Sequence, residues 1–160
     1  METLYFDILQ FGYLLGLALI VGGGVVLGGA VAPAVFKAAR TRGEGGLLFG
    51  SILARYDQLV ILALVIVGIA SVLKFFAFED LGIGPRLFAR WSALVILGAA
   101  SLYAAAWSNP LARTLRSQTQ DFDELPESSP ARREFGRLHR SSTRAMRLVL
   151  FSGLAALFLS

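Results

Sequence analysis

The sequence has no cysteine, one histidine and two methionines among its 160 residues, and these scarcities exclude several kinds of site. Without cysteine, the chain by itself forms no disulfide, zinc–thiolate site or iron–sulfur cluster. One histidine and two methionines are a poor ligand set for copper. Charged residues are also scarce, at 16% of the chain against roughly 25% in soluble domains. We therefore expect no cofactor and no bound metal ion.

Long apolar runs take the place of the missing charges, and hydrophobic residues make up 56% of the chain. Three runs reach the roughly 20 residues that an α-helix needs to cross a bilayer, and none alternates as a barrel strand does. A fourth, shorter run ends at the C-terminus. We predict an all-α fold, an integral membrane four-helix bundle forming a single domain over residues 1–160. The expected spans are about 8–32, 55–78, 87–107 and 138–160, with a polar cytoplasmic loop at about 110–130.

The first apolar run is expected to be retained rather than removed as a signal peptide. No Lys or Arg precedes Lys37, so the basic region that begins a signal peptide is missing. The small residues at 30–32 resemble a cleavage site, but Pro33 would follow the cut directly. Because proline lacks a backbone N–H group, we expect a kink or a helix end near Pro33 instead.

The basic residues predict how the chain crosses the membrane. The connections after spans one and three hold twelve of the fifteen Lys and Arg residues, which places both connections in the cytoplasm and both termini outside. The net charge of +4 is thus a topology signal and not a sign of nucleic-acid binding. Trp91 and Trp107, about 24 Å apart along a helix, suit the two aromatic belts of a membrane. We expect a multi-pass protein of a bacterial inner membrane.

Small residues recur every fourth position along the first span. Side chains spaced in this way share one helix face and allow two helix backbones to approach closely in lipid. We expect this face to pack against another span of the same chain, and a homodimer contact is the alternative. The predicted packing positions are Gly12, Gly16, Gly24, Gly28 and Ala32.

The last apolar run is too short to cross a membrane alone, so its helix must begin well before it. Ser128 or Ser129 followed by Pro130 is a typical helix start. A helix from Ala131 to the end of the chain is about 45 Å long and projects into the cytoplasm. Five arginines on it step by four, three, four and three, which aligns them on one face. This face is expected to contact anionic lipid headgroups or an acidic partner. Its members are Arg133, Arg137, Arg140, Arg144 and Arg147.

Polar residues near the cytoplasmic edge of the spans form a candidate cluster. Arg55 and Asp57 begin the second span, and His139 and Ser142 precede the last one. Polar groups at membrane depth are costly and often functional. His139 is nevertheless also readily explained as a packing residue at the interface. Nothing else in the sequence points to an enzyme, since His139 beside Ser142 lacks an orienting acid and an oxyanion hole.

Three short segments, in this order and spacing, resemble one known family. They are the segment 32–36 that closes the first span, the segment 45–49 that begins the second helix, and the segment 135–142 that leads into the last span. They resemble bacterial four-span membrane proteins of unknown function related to transmembrane protein 205. The resemblance implies the same fold and no agreed molecular activity. An Asn one turn after the serine is absent, with Met146 in its place. The matching positions are Pro33, Phe36, Gly45, Gly46, Phe49, His139 and Ser142.

The residues favour a scaffold or accessory subunit that acts through helix packing and the arginine face. A small oligomeric transporter is the alternative, supported by the candidate polar cluster, although spans one and three carry no charge in their interiors. A looser similarity to four-span haem-associated and copper-resistance proteins makes a haem- or metal-linked protein a third reading. That reading is weakened because bis-histidine haem ligation needs two histidines. We expect a homo-oligomer or a larger membrane complex.

Overall fold

The structure is a computed structural model that describes residues 2–79, 84–119 and 122–160, and this part of the chain is helical, with no strand. Four helices follow one another, and the first and third each contain a π-helical segment. The first helix comprises Glu2–Val26, the π-helical Leu27–Val31, and Ala32–Ala38; the second is Arg42–Phe78; the third comprises Pro85–Leu102, the π-helical Tyr103–Ser108, and Asn109–Gln118; the fourth is Pro130–Phe158.

Three of these helices are long and apolar enough to cross a membrane. They are Thr3–Ala38, Arg42–Phe78 and Pro85–Gln118, with mean hydropathies of 2.3, 2.8 and 1.5 over their most apolar windows. The predicted all-α fold is therefore confirmed for the described residues, and the chain has the character of a membrane protein. The fourth helix is not among the three, since its first half is rich in arginine.

Each π-helical segment lies just before a proline. The Ala32 N–H donates to the Leu27 carbonyl and the Asn109 N–H donates to the Ala104 carbonyl, five residues back in both cases. Pro33 and Pro110 each follow one residue later. The widened turn makes room for the proline ring, which would otherwise clash with the preceding turn. Both helices therefore continue past their prolines instead of ending there.

This continuation corrects two expectations. A kink or a helix end was expected near Pro33; the helix end was wrong, because the first helix runs on to Ala38, and the irregularity found there is the π-helical segment Leu27–Val31. The third helix runs on to Gln118 and the fourth begins at Pro130, so the loop expected at about 110–130 is shorter. Residues 120 and 121 of that loop lie outside the described part of the chain. The predicted start of the fourth helix is confirmed, because the Ser129 hydroxyl accepts from the Arg132 N–H at 3.4 Å with Pro130 in the first turn.

The four helices pack as a bundle in which the first lies beside the second and fourth, and the third lies beside the same two. Its centre is filled by large apolar side chains that are almost completely buried, among them Leu17, Ile20 and Leu97. Tyr13 is buried with them, and its hydroxyl donates to the Ala156 carbonyl at 3.0 Å. This bond ties the first helix to the end of the fourth.

The small-residue positions predicted to pack on the first helix, Gly12, Gly16, Gly24, Gly28 and Ala32, are called the glycine face. Part of this face lies inside the bundle. A Cβ atom added at Gly16 would lie 3.0 Å from the Ala63 carbonyl oxygen, and one at Gly24 would lie 3.2 Å from the Met146 sulfur. Gly12 packs less tightly, 3.6 Å from a methyl group of Ile66. Nothing lies within 4 Å of the corresponding point at Gly28, and Ala32 is half-buried. The face therefore packs within the chain at Gly12, Gly16 and Gly24, and Gly28 contributes nothing to that packing.

Candidate functional site

A layer of hydrogen-bonded polar side chains joins the helices at the level where the third helix leaves its π-helical segment. Asn109 is its central residue. The Asn109 Nδ2 donates to Asp57 Oδ1 at 2.9 Å, and its Oδ1 accepts from the Ser142 hydroxyl. Arg113, one turn further along, donates through Nη1 to Asp57 Oδ2 at 2.7 Å. One carboxylate thus binds two partners from the third helix.

Three further hydrogen bonds extend this layer around the bundle. The Ser108 hydroxyl donates to the Leu138 carbonyl at 3.0 Å and lies 3.3 Å from the Ser141 hydroxyl. The Tyr56 hydroxyl donates to the Ile20 carbonyl of the first helix. Every helix therefore contributes to the network. We call it the inner polar layer; its side chains are Tyr56, Asp57, Ser108, Asn109, Arg113, Ser141 and Ser142.

The centre of the inner polar layer is buried, and this decides its energetics. Asp57 is only 4% exposed, and Ser108 and Asn109 are similarly covered. A buried carboxylate is costly unless it is paired and hydrogen-bonded. Asp57 has a guanidinium on one oxygen and an amide on the other, so both of its oxygens are satisfied. The π-helical turn before Asn109 shifts the register of the third helix at this point.

The predicted polar cluster is only half present in this layer. Asp57 and Ser142 belong to it, joined through Asn109. Arg55 is exposed and takes no part, and His139 is also exposed, with its ring stacked on Phe135 at a centroid separation of 6.4 Å. Asn109 and Arg113 were missed, although an Asn–Pro pair directly after an apolar span, with Arg one turn later, was a signal for them.

A second polar group lies at the opposite end of the bundle. Arg90 forms an ion pair with Glu79, and Lys74 donates to the Gln10 side chain. The Lys74 ammonium also lies 5.2 Å from the ring centroid of Tyr13. Lys74 and Arg90 are both buried. We call this the outer polar layer; its side chains are Gln10, Lys74, Glu79 and Arg90.

The two layers are separated by an apolar length close to the thickness of a bilayer. Asp57 and Lys74 are seventeen residues apart on one continuous helix, which corresponds to about 26 Å. The hydrocarbon core of a bilayer is about 30 Å thick. The side chains between the layers include the buried Val60, Ala63 and Val67. The apolar stretch between the layers is thus nearly as long as the hydrocarbon core is thick.

The loop between the third and fourth helices is held by aromatic and ionic contacts. Phe122 is buried, with the guanidinium carbons of Arg116 and Arg132 at 5.6 and 5.4 Å from its ring centroid. Arg116 also donates to both oxygens of Asp123 at 2.7 Å and to the Gly43 carbonyl at 3.0 Å. The described end of the loop is therefore fastened to the start of the second helix.

Four of the seven positions that carry the family resemblance lie in the same region: Phe36, Gly45, Gly46 and Phe49. The rings of Phe36 and Phe49 are 6.1 Å apart. A Cβ atom at Gly45 would crowd Phe36 and Ala39, and one at Gly46 would lie 3.0 Å from the guanidinium carbon of Arg116. Glycine at both positions lets the second helix start directly against its neighbours. Pro33, on the same helix as Phe36, lies exposed.

All five arginines of the predicted basic face are exposed. Arg137 is bonded to Glu134 at 2.7 Å, one turn earlier on the same helix. In the described residues, the other four arginines of this face have no carboxylate within 4.0 Å. Within the described part of the chain, four of its five cations are therefore unpaired. Its members, Arg133, Arg137, Arg140, Arg144 and Arg147, are called the arginine face below.

Comparison with known proteins gives a family. The family model described as "Domain of unknown function (DUF4149)" matches residues 15–121. The match covers more than half of the chain, so the chain belongs to this family. No curated protein and no solved structure matches it. The matched residues include Asp57, Asn109 and Arg113 of the inner polar layer, whereas the arginine face lies beyond them.

Proposed function

We propose that this member of the DUF4149 family is a non-enzymatic scaffold or accessory subunit of a membrane complex. It acts through helix packing and through the arginine face, which binds an acidic partner in the cytoplasm. The observation that carries the proposal is the arginine face itself. Its five exposed cations lie along about 21 Å of one helix, and only Arg137 has a carboxylate partner among the described residues.

The proposed placement has four spans, with the inner polar layer at the cytoplasmic surface of a bacterial inner membrane. Both termini then lie outside, as the distribution of basic residues favours. Of the three basic residues near the outer surface, Lys74 and Arg90 are buried within the bundle and Arg86 is exposed, so few free cations remain there in support of this placement. The fourth helix crosses the membrane with its apolar half and extends into the cytoplasm with its basic half.

The polar side chains of the inner polar layer are hydrogen-bonded within the bundle, which supports a structural role. Asp57 and Ser142 are both bonded to Asn109, and the bundle centre between the two layers is filled mainly by apolar side chains, with the buried Ser71, Ser101 and Ser152 among them. An apolar cavity of about 390 Å³ lies on the outside of the bundle, between the second and third helices. It is lined by Val72, Phe75, Phe76, Leu87, Phe88 and Trp91.

The relation to four-span proteins related to transmembrane protein 205 is part of this proposal. It is supported by the contact between the rings of Phe36 and Phe49 and by the tight packing at Gly45 and Gly46. The Asn expected after Ser142 has a counterpart in Asn109. Its amide oxygen accepts from the Ser142 hydroxyl, although it comes from the third helix.

Native mass spectrometry of the full chain, extracted gently from its own membrane, tests the scaffold role. We expect a second polypeptide to copurify in fixed stoichiometry with the wild type. The variant R133Q/R137Q, changed at the cytoplasmic end of the arginine face, should lose that polypeptide while remaining folded. A chain that is recovered only as copies of itself, with or without these arginines, would contradict the proposal.

A small oligomeric transporter is the second candidate, and one observation favours it. Asp57 is a buried carboxylate with an arginine partner at the edge of the apolar region, and charges at that depth often lie on ion or substrate paths. In reconstituted vesicles, a transporter would show a solute flux that Asp57→Asn abolishes without unfolding the chain. A scaffold shows no such flux.

A further inference from the structure

The arginine face continues into an apolar face on the same side of the fourth helix. After Arg144 and Arg147, the same spacing of four and three residues leads to Phe151, Leu154 and Phe158. All three are exposed, by 74%, 54% and 84%. Cationic and apolar side chains thus follow one another along one continuous line. This order matches the headgroup and the acyl chain of a phospholipid lying beside the helix.

The contacts between the third and fourth helices indicate the depth in the membrane at which the fourth helix changes from cationic to apolar side chains. Ser108 lies against Ser141, and the neighbouring Trp107 is 65% exposed. Exposed tryptophan is enriched where a bilayer meets water. Arg144 is three residues beyond Ser141, which is about 4.5 Å along the helix axis. Arg144 therefore lies near the level of Trp107. Arg147, six residues or about 9 Å beyond Ser141, lies one turn deeper, at the membrane edge of the placement proposed above.

We infer that Arg144 and Arg147 form a binding site for the phosphate of an anionic phospholipid in the cytoplasmic leaflet. The two guanidinium groups are one turn apart on one face and have no carboxylate partner in the described chain. Arginine binds phosphate oxygens through paired N–H groups. The acyl chains of the lipid lie along Phe151 and Leu154. The site rests on the membrane placement given under the proposed function.

The length of the arginine face keeps its cytoplasmic end out of this site. Arg133 lies fourteen residues before Arg147, about 21 Å along the helix. The headgroup region of one leaflet is only about 5–8 Å thick. A helix that leaves the membrane near Arg147 therefore carries Arg133 and Arg137 beyond the headgroups. The same face has a lipid-binding end and a cytoplasmic end, and the cytoplasmic end remains for the partner protein.

Lipid titration of the full-length protein in detergent, read by native mass spectrometry, tests the site. The wild type should retain phosphatidylglycerol over phosphatidylcholine. R144Q/R147Q should lose that preference by about fivefold for each arginine removed, whereas R144K/R147K, which keeps the charge, should retain most of it. The matched control R133Q/R137Q removes two charges from the same face and should retain the full preference.

Several results would overturn the inference. The inference is wrong if R144Q/R147Q keeps the wild-type preference for phosphatidylglycerol. It is also wrong if R133Q/R137Q loses as much of that preference as R144Q/R147Q, because the effect would then be one of net charge alone. Displacement of phosphatidylglycerol by millimolar inorganic phosphate would assign the site to a soluble anion instead of a lipid. A thermal melt of each variant excludes misfolding. The scaffold role is tested by the copurification of a partner with R133Q/R137Q, and the lipid site by the lipid preference of R144Q/R147Q. Either proposal can therefore be disproved without the other.

Discussion

Asn109 binds Asp57 with its amide nitrogen and Ser142 with its amide oxygen, so one side chain of the third helix bridges the second and fourth helices. In these two hydrogen bonds the acceptors are Asp57 Oδ1 and Asn109 Oδ1. Both bonds lie inside the bundle, where leaving a polar group without a hydrogen-bond partner is costly. The bridge fixes the positions of the three helices relative to one another along the bundle axis. It therefore also fixes where along that axis the basic half of the fourth helix extends beyond the bundle.

Asn109→Leu removes this bridge. The change leaves Asp57 Oδ1 and the Ser142 hydroxyl without a partner, so we expect a loss of about 2–3 kcal/mol in the free energy of unfolding. Unfolding in mixed detergent, followed by circular dichroism, measures it. Gln118→Leu, which replaces an exposed amide at the end of the same helix, should change stability little. Equal stabilities of both variants would show that the bridge contributes nothing.

Arg113→Met removes the only cation bonded to Asp57 in the described structure. A buried carboxylate without its partner is strongly unfavourable, so we expect a loss of about 2 kcal/mol or more. The double variant D57N/R113M removes both charges together and should be more stable than R113M alone. The single variant D57N completes the comparison. If the stability losses of D57N and R113M add up to the loss of the double variant, the two side chains are not coupled and the burial of Asp57 has another explanation.

Gly16→Ala and Gly28→Ala separate the packed and open parts of the glycine face. At Gly16 the added methyl group meets the Ala63 carbonyl, and overpacking of this kind costs about 1–3 kcal/mol. At Gly28 nothing is within 4 Å, and alanine favours the helix by up to about 1 kcal/mol. Thermal unfolding of the two variants should therefore shift in opposite directions. A strong loss at Gly28 would indicate a contact with a second copy or a partner.

His139→Ala tests the histidine that the sequence singles out. The side chain is exposed and its described contact is the stack on Phe135. We expect a change in stability below about 1 kcal/mol and no change in the size of the purified assembly, by thermal melting and size-exclusion chromatography. Dissociation of the assembly would instead make His139 an interface residue.

The sequence predicts the helices better than the contacts between them. Apolar length and the spacing of arginines predict the fourth helix and its exposed basic face, because both features are local. The continuation past Pro33 and Pro110 depends on π-helical turns, which no local pattern specifies. The pairing of Asp57 with Asn109 joins residues fifty-two positions apart, so it follows only from the packing of the helices. His139 looked functional because it is the only histidine in the chain, yet its position on the helix leaves it exposed.

The path of the chain across the membrane is the claim on which both proposals depend. Because the protein has no native cysteine, single cysteines at the exposed positions Leu4, Lys37, Glu124 and Ser160 can be tested with a membrane-impermeant maleimide on intact cells and on inside-out vesicles. We predict that Lys37→Cys and Glu124→Cys react only from the cytoplasmic side, and that Leu4→Cys and Ser160→Cys react only from outside. Reaction of positions 124 and 160 from the same side would show that the fourth helix does not cross the membrane, which would contradict the account.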